Sequence, residues 1–264
     1  MLKPTVQILA AILIAVSLPG RDARADPMLA DFAYPYPVAT YQFRAQGHDL
    51  SMAYMDVAPA KPNGRTAVLL HGKNFCGATW GDVAKSLIQS GYRVLVPDQI
   101  GFCKSSKPES YHYSFHDLAA NTRSLITSLG IESPIVVGHS MGGMLAARYA
   151  LSFPHDVSGL VLVNPIGLED WRAKGVPDRS IDELFEAEKK TTAETIKAYQ
   201  LKVYYGGTWK PEYDRWVQML ASMYTEPGGD KVAFAQALTS KMVFTDPVVH
   251  EFERIAVPTA LLTV

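Results

Sequence analysis

The stretch Ile135-Val136-Val137-Gly138-His139-Ser140-Met141-Gly142-Gly143-Met144 decides how this chain reads. Ile135 to Val137 is a short, β-branched apolar run, which predicts a buried strand, and Met144 to Leu151 has the composition of a helix. Between them lies Gly138-x-Ser140-x-Gly142. A serine on a sharp strand-to-helix turn is held in a strained backbone conformation with its hydroxyl above the sheet, the arrangement called a nucleophile elbow. Side chains at the flanking positions would collide, hence Gly138 and Gly142 there and His139 between them. The turn also opens a helix, so the N–H of Met141 points where negative charge develops on an attacked carbonyl. An ordinary strand–helix turn uses the same residue types; the strand before and the helix after favour the elbow.

The chain has 264 residues, 48% of them hydrophobic and 19% charged, which suits one globular domain with room for an insertion. The net charge is −1 and no basic cluster occurs, so nucleic acid is not an expected partner. There is no P-loop, Gly-x-Gly-x-x-Gly, His-Glu-x-x-His or Cys-x-x-Cys. No metal or organic cofactor is implied, and the expected partner is a small-molecule substrate.

The first 25 residues read as a leader rather than as fold. Lys3 supplies the positive start, Val6 to Leu18 is almost wholly apolar, and Ala23-Arg24-Ala25 matches a small-x-small cleavage site before Asp26. A retained anchor is the other reading, but the run is short for a bilayer. The expectation is therefore an exported protein, periplasmic or secreted, without stable membrane insertion after cleavage. Export bears on Cys76, five residues after His71, and Cys103, five residues after Asp98, both of which follow apolar strand-like runs. If those strands are neighbours, the two thiols bridge at one sheet edge; otherwise they are two buried free thiols.

Along the chain, residues 26–37 are proline-rich and read as an extended lead-in. Tyr41 to Ala45 and His48 to Val57 read as strands joined at Gln46-Gly47, and Thr66 to Leu70 as a buried strand. A helix from Trp80 to Gln89, a strand from Arg93 to Asp98, a helix from Phe115 to Leu129 and a strand at Leu160 to Val163 complete an alternation. Such alternation means an α/β fold with a mostly parallel sheet flanked by helices.

His71-Gly72, Pro97-Asp98-x-x-Gly101-Phe102 and Gly138-His139-Ser140-Met141-Gly142, in that order, resemble the α/β-hydrolase superfamily. The likeness is to its capped, serine-nucleophile branch of esterases and C–C hydrolases, and it covers about residues 38–165 before resuming near residue 250. It implies Ser140 as nucleophile, the backbone N–H groups of Lys73 and Met141 as the oxyanion hole, His71 as a structural residue of that loop, and Asp98 as a loop-orienting residue. Serine rather than aspartate at the elbow argues against epoxide and haloalkane chemistry.

The resemblance divides the chain into a core over 26–164, a helical cap over 165–250 and a return to the core over 251–264. Glu183 to Lys190, Ala193 to Tyr204 and Pro211 to Met223 read as cap helices. Tyr204, Tyr205, Trp209 and Trp216 fall among them, and either line an apolar substrate pocket or pack the cap helices together.

A serine needs a histidine base, and the base needs a carboxylate. In the family both follow the cap, the acid after the next strand and the histidine after the last one. Here Ile255 to Val264 reads as the strand leading to the acid, so the final strands, the acid and the histidine are expected to be missing from these 264 residues. None of the seven histidines stands at the family's base position. Two functions stay open: an exported serine hydrolase working through an acyl-enzyme, of which this is a truncated form, or a non-catalytic binding protein on the same fold. Esters, lactones, thioesters and vinylogous 1,5-diketones all fit the first.

Overall fold

The computed structural model describes residues 25–263, so the expected leader lies, Ala25 apart, outside the described residues. Seven strands form one sheet: β1 Val38–Ala45, β2 His48–Val57, β3 Thr66–Leu70, β4 Arg93–Pro97, β5 Ile135–His139, β6 Gly159–Val163 and β7 Thr259–Leu262. Their order is β1-β2-β4-β3-β5-β6-β7. β1 and β2 form a hairpin whose turn, Gln46 at φ 50° and Gly47 at φ 81°, uses the left-handed conformations that match strand twist. β2 pairs antiparallel with β4, and every later pairing is parallel.

Alternation along β3 explains the two-faced core. Val68 and Leu70 join one buried cluster with Leu95 and Val136, while Ala67 and Leu69 join another with Val94, Val96, Trp80 and Ala84. Helix α1, Gly81–Gln89, covers the second face; α2, Phe115–Ser128, and α3, Met141–Ser152, cover the first. Between β6 and β7 lie α4 Ile181–Glu188, α5 Ala193–Val203, α6 Asp214–Tyr224 and α7 Gly229–Thr245.

Several boundaries differ from the sequence reading. The helix expected from Trp80 starts as a 3-10 turn, Gly77–Trp80, and the one expected from Pro211 likewise opens with a turn, Pro211–Tyr213. α3 begins at Met141, immediately after the serine. α7 was not anticipated at all, and its physical reason is burial: Val232, Ala233, Ala235, Ala237, Thr239, Met242 and Val243 are buried around much of its circumference. Such a helix shows no polar–apolar stripe. The lead-in is also more than an extended tether. Leu29 is fully buried, Phe32 packs on Trp216, Asp26 N–H donates to Ser222 O, and Tyr34 Oη donates to Asp98 Oδ2 at 2.6 Å. Residues 26–34 therefore bind both the sheet's loops and α6.

Candidate active site

Ser140 sits at φ 55° and ψ −120°, a region a β-carbon strongly disfavours, between the end of β5 and the start of α3. Hydrogen bonds hold it there: Ser140 N–H donates to Val163 O at 3.1 Å, and Gly143 N–H donates to Ser140 O at 2.9 Å. The flanking glycines have steric causes. A β-carbon on Gly138 would strike the Gly142 carbonyl, and one on Gly142 would strike the carbonyls of Leu70 and His71. As the first residue of α3, Met141 has an N–H with no acceptor inside the helix.

The loop after β3 lies directly against this turn. A β-carbon on Gly72 would stand 3.0 Å from Ser140 Cβ, so Gly72 lets Lys73 approach the serine. The loop is fixed by His71, 1% exposed, whose Nδ1 donates to Gly72 O at 2.9 Å while Nε2 accepts from Gln99 N–H at 3.0 Å. Burial lowers its pKa below the ordinary imidazole value. With both nitrogens occupied and no charge, His71 holds backbone and is not a base. Asp98 plays a similar part: Oδ1 accepts from Gly77 N–H at 2.7 Å, and Oδ2 accepts from Tyr34 Oη and from Lys104 N–H at 3.1 Å. Beside it Cys76 and Cys103 are joined in a disulfide, with Cα atoms 5.9 Å apart. The three groups lie within 4.8 Å of one another, but a disulfide leaves no thiolate for a metal.

His139 points into an aromatic box, with ring centroids 5.5 Å from Phe75, 6.4 Å from Trp80 and 6.4 Å from Tyr204. Burial and then nearby His71 lower its pKa. Among the described residues no histidine hydrogen-bonds the Ser140 hydroxyl. His250 pairs instead with Asp170, Nε2 to Oδ2 at 3.0 Å, and this bond is the main cause that pulls the Asp170 carboxyl down to about 2. The neighbouring Glu251 binds buried Arg148 of α3 at 2.7 Å.

The helices α4 to α7 close over the loops. A cavity of about 360 Å³ lies between Lys73, Phe75 and Phe102 on one side and Ile196, Leu220 and Met223 on the other. Lys73 Nζ donates to Glu188 Oε1 at 2.7 Å, and Glu188 Oε2 accepts from Tyr224 Oη at 2.8 Å. Glu188 of α4 thus joins the loop after β3 to α6. No sequence motif marks it. Of the four aromatics expected either to line a pocket or to pack the helices together, Tyr204, Tyr205 and Trp216 line a second cavity of about 290 Å³ with His139 and Phe75. Trp209 lines neither cavity. It packs edge-on against Tyr205 and Tyr213 and donates Nε1–H to Asp214, so its amphipathic ring is satisfied within the helical layer.

Comparison with known proteins agrees with this arrangement. The family described as alpha/beta hydrolase fold matches residues 67–216. The chain is 55% identical to a probable hydrolytic enzyme of Pseudomonas aeruginosa PAO1, over 92% of this chain and 78% of that one, with a TM-score of 0.91. An AB hydrolase superfamily protein of Bacillus subtilis is 36% identical over 40% of this chain and 38% of its own length. A 2-hydroxy-6-oxononadienedioate/2-hydroxy-6-oxononatrienedioate hydrolase of Comamonas testosteroni is 29% identical over 51% of this chain and 48% of its own. The matched stretch spans less than half the length of these curated relatives. Elbow, loop, sheet order and sequence likeness together place the chain in the alpha/beta hydrolase fold family.

Proposed function

We propose that this chain is the nucleophile-bearing body of an exported serine hydrolase acting on an ester-like or other carbonyl small molecule. Ser140 Oγ attacks the carbonyl carbon and the C=O π electrons move to oxygen. The N–H groups of Met141 and Lys73 then hold the oxyanion. Collapse breaks the bond to the leaving group, which departs with the proton that Ser140 Oγ released on attack, and in the second half water adds to the acyl carbon, leaving the acid product and returning a proton to Ser140 Oγ. The observation that carries this reading is the strained Ser140 at φ 55°, packed so close to the loop after β3 that a β-carbon on Gly72 would stand 3.0 Å from Ser140 Cβ. The Cys76–Cys103 disulfide supports export, because such bonds persist in oxidising compartments.

The test is hydrolysis of p-nitrophenyl acetate and butyrate by the protein purified from its own organism. Turnover that Ser140→Ala lowers by about 10⁴-fold or more supports the reading. Absent turnover, or turnover that survives the substitution, rejects it. One observation favours the second reading, a carbonyl-binding protein without catalysis: no described histidine bonds Ser140, and that reading gains if turnover is absent.

A further inference from the structure

Three consecutive residues of the loop after β3 are gripped by the helices that lie over it. Lys73 Nζ donates to Glu188 Oε1 of α4 at 2.7 Å. The Asn74 side chain hydrogen-bonds Tyr204 Oη at the end of α5, and the Phe75 ring meets the Tyr204 ring edge-on at 5.0 Å. Glu188 is itself held from two more helices. Its Oε2 accepts from Tyr224 Oη of α6 at 2.8 Å, and its Oε1 also accepts from Ser240 Oγ of α7 at 3.5 Å.

Within the loop, the peptide linking Gly72 to Lys73 is pinned at its oxygen. Gly72 O accepts from His71 Nδ1 at 2.9 Å and from Phe75 N–H at 3.1 Å. The peptide is trans, so the Lys73 N–H points opposite to that carbonyl, and among the described residues no backbone acceptor takes it. The loop's own bonds thus fix one side of Lys73, and Glu188 fixes the other through the side chain. Cutting the second tether frees a residue whose N–H must keep its aim, and small misalignments of such donors are costly.

We infer that Glu188 is a positioning residue: from α4 it holds Lys73 so that the Lys73 backbone N–H stays directed at the oxyanion. The inference rests on the hydrolase reading for the role of that N–H, while the tether is read without turnover. It makes α4 part of the machinery of the reaction rather than only a wall of the cavity.

The experiment compares Glu188→Leu, Glu188→Gln and the control Asp178→Asn in the full protein, with Lys73→Met added should Glu188→Leu fold poorly. Asp178→Asn removes an ion pair to Lys241 of α7 that does not touch the loop. Hydrolysis of p-nitrophenyl butyrate is counted per Ser140 labelled to completion by a fluorophosphonate, so misfolded protein is not scored. Glu188→Leu should lower kcat about tenfold or more with KM within about twofold, short of the roughly 10²–10³-fold cost of deleting an oxyanion donor. Glu188→Gln, which keeps an acceptor for Lys73, should recover part of the loss, and Asp178→Asn should stay within about twofold of the unaltered protein. Exchange of the Phe75 amide, read by NMR, should quicken about tenfold in Glu188→Leu and not in Asp178→Asn. Ser140-dependent turnover with kcat unchanged in Glu188→Leu, a loss confined to KM, or an equal loss in Asp178→Asn overturns the positioning role alone. No turnover by the unaltered protein rejects the hydrolase reading; the tether then stands if Phe75 exchange quickens in Glu188→Leu and falls as well if it does not.

Discussion

At Ser140 the backbone and the chemistry are one problem. The φ of 55° that lifts the hydroxyl off the sheet is held by close packing, and neither Gly138 nor Gly142 leaves room for a β-carbon. Gly142→Ala would push a methyl group against the carbonyls of Leu70 and His71, so it should destabilise the protein by about 3 kcal/mol. Gly159→Ala is the control, because its β-carbon would meet nothing closer than 3.6 Å and should shift stability by less than about 1 kcal/mol. Urea denaturation of both variants measures this; equal losses would remove the steric account of the elbow. The elbow was legible in the sequence because a tight turn leaves so few residue choices. Glu188 was not, since a polar residue's partners are set by which helices meet in space.

Among the elements, α4, α6 and the loop after β3 meet at Glu188, which binds Lys73 Nζ and Tyr224 Oη at once. Both side chains of the ion pair are mostly shielded, at 20% and 17% exposure, so removing one partner leaves the other charge stranded. Glu188→Leu alone should cost about 2 kcal/mol, and Lys73→Met alone a similar amount. The double variant should lose less than the sum, and a double-mutant cycle from urea midpoints reads the difference. Strict additivity would mean that the pair does not couple loop to cap. The strands of the parallel sheet were readable because β3, β4, β5 and β6 are continuous apolar runs, as strands covered on both faces must be, whereas their order was not. α7 was not, because a helix buried around most of its surface has no stripe, and Pro227 and Gly228 before it look like a loop. The lead-in was misjudged for a related reason: prolines signal extended chain, and nothing local shows that Tyr34 reaches Asp98.

For the whole molecule, the disulfide and the buried titratable groups set the conditions under which the fold holds. Cys76 and Cys103 lie 27 residues apart, and closing a loop of that size should be worth about 3.5 kcal/mol. The Cys76→Ala/Cys103→Ala double variant should lose that much in urea, while no loss would mean that the bridge does not constrain the unfolded chain. Stability should also rise with pH. His71 and His139 have folded pKa values below the ordinary 6.5, so below that pH the unfolded chain binds protons the folded one does not, and stability falls. Burial likewise pulls Lys107 down to about 7 from 10.5, so stability should climb through that window. Thermal melts from pH 5.5 to 9 check the sign, and Lys107→Met should flatten the rise above pH 7. The central claim is that Ser140 is the nucleophile. It is tested most directly by treating the protein from its own organism with a fluorophosphonate and mapping the adduct by peptide mass. The account predicts one adduct, on the peptide bearing Ser140, abolished by Ser140→Ala. An adduct on another residue, or none on Ser140, would contradict it.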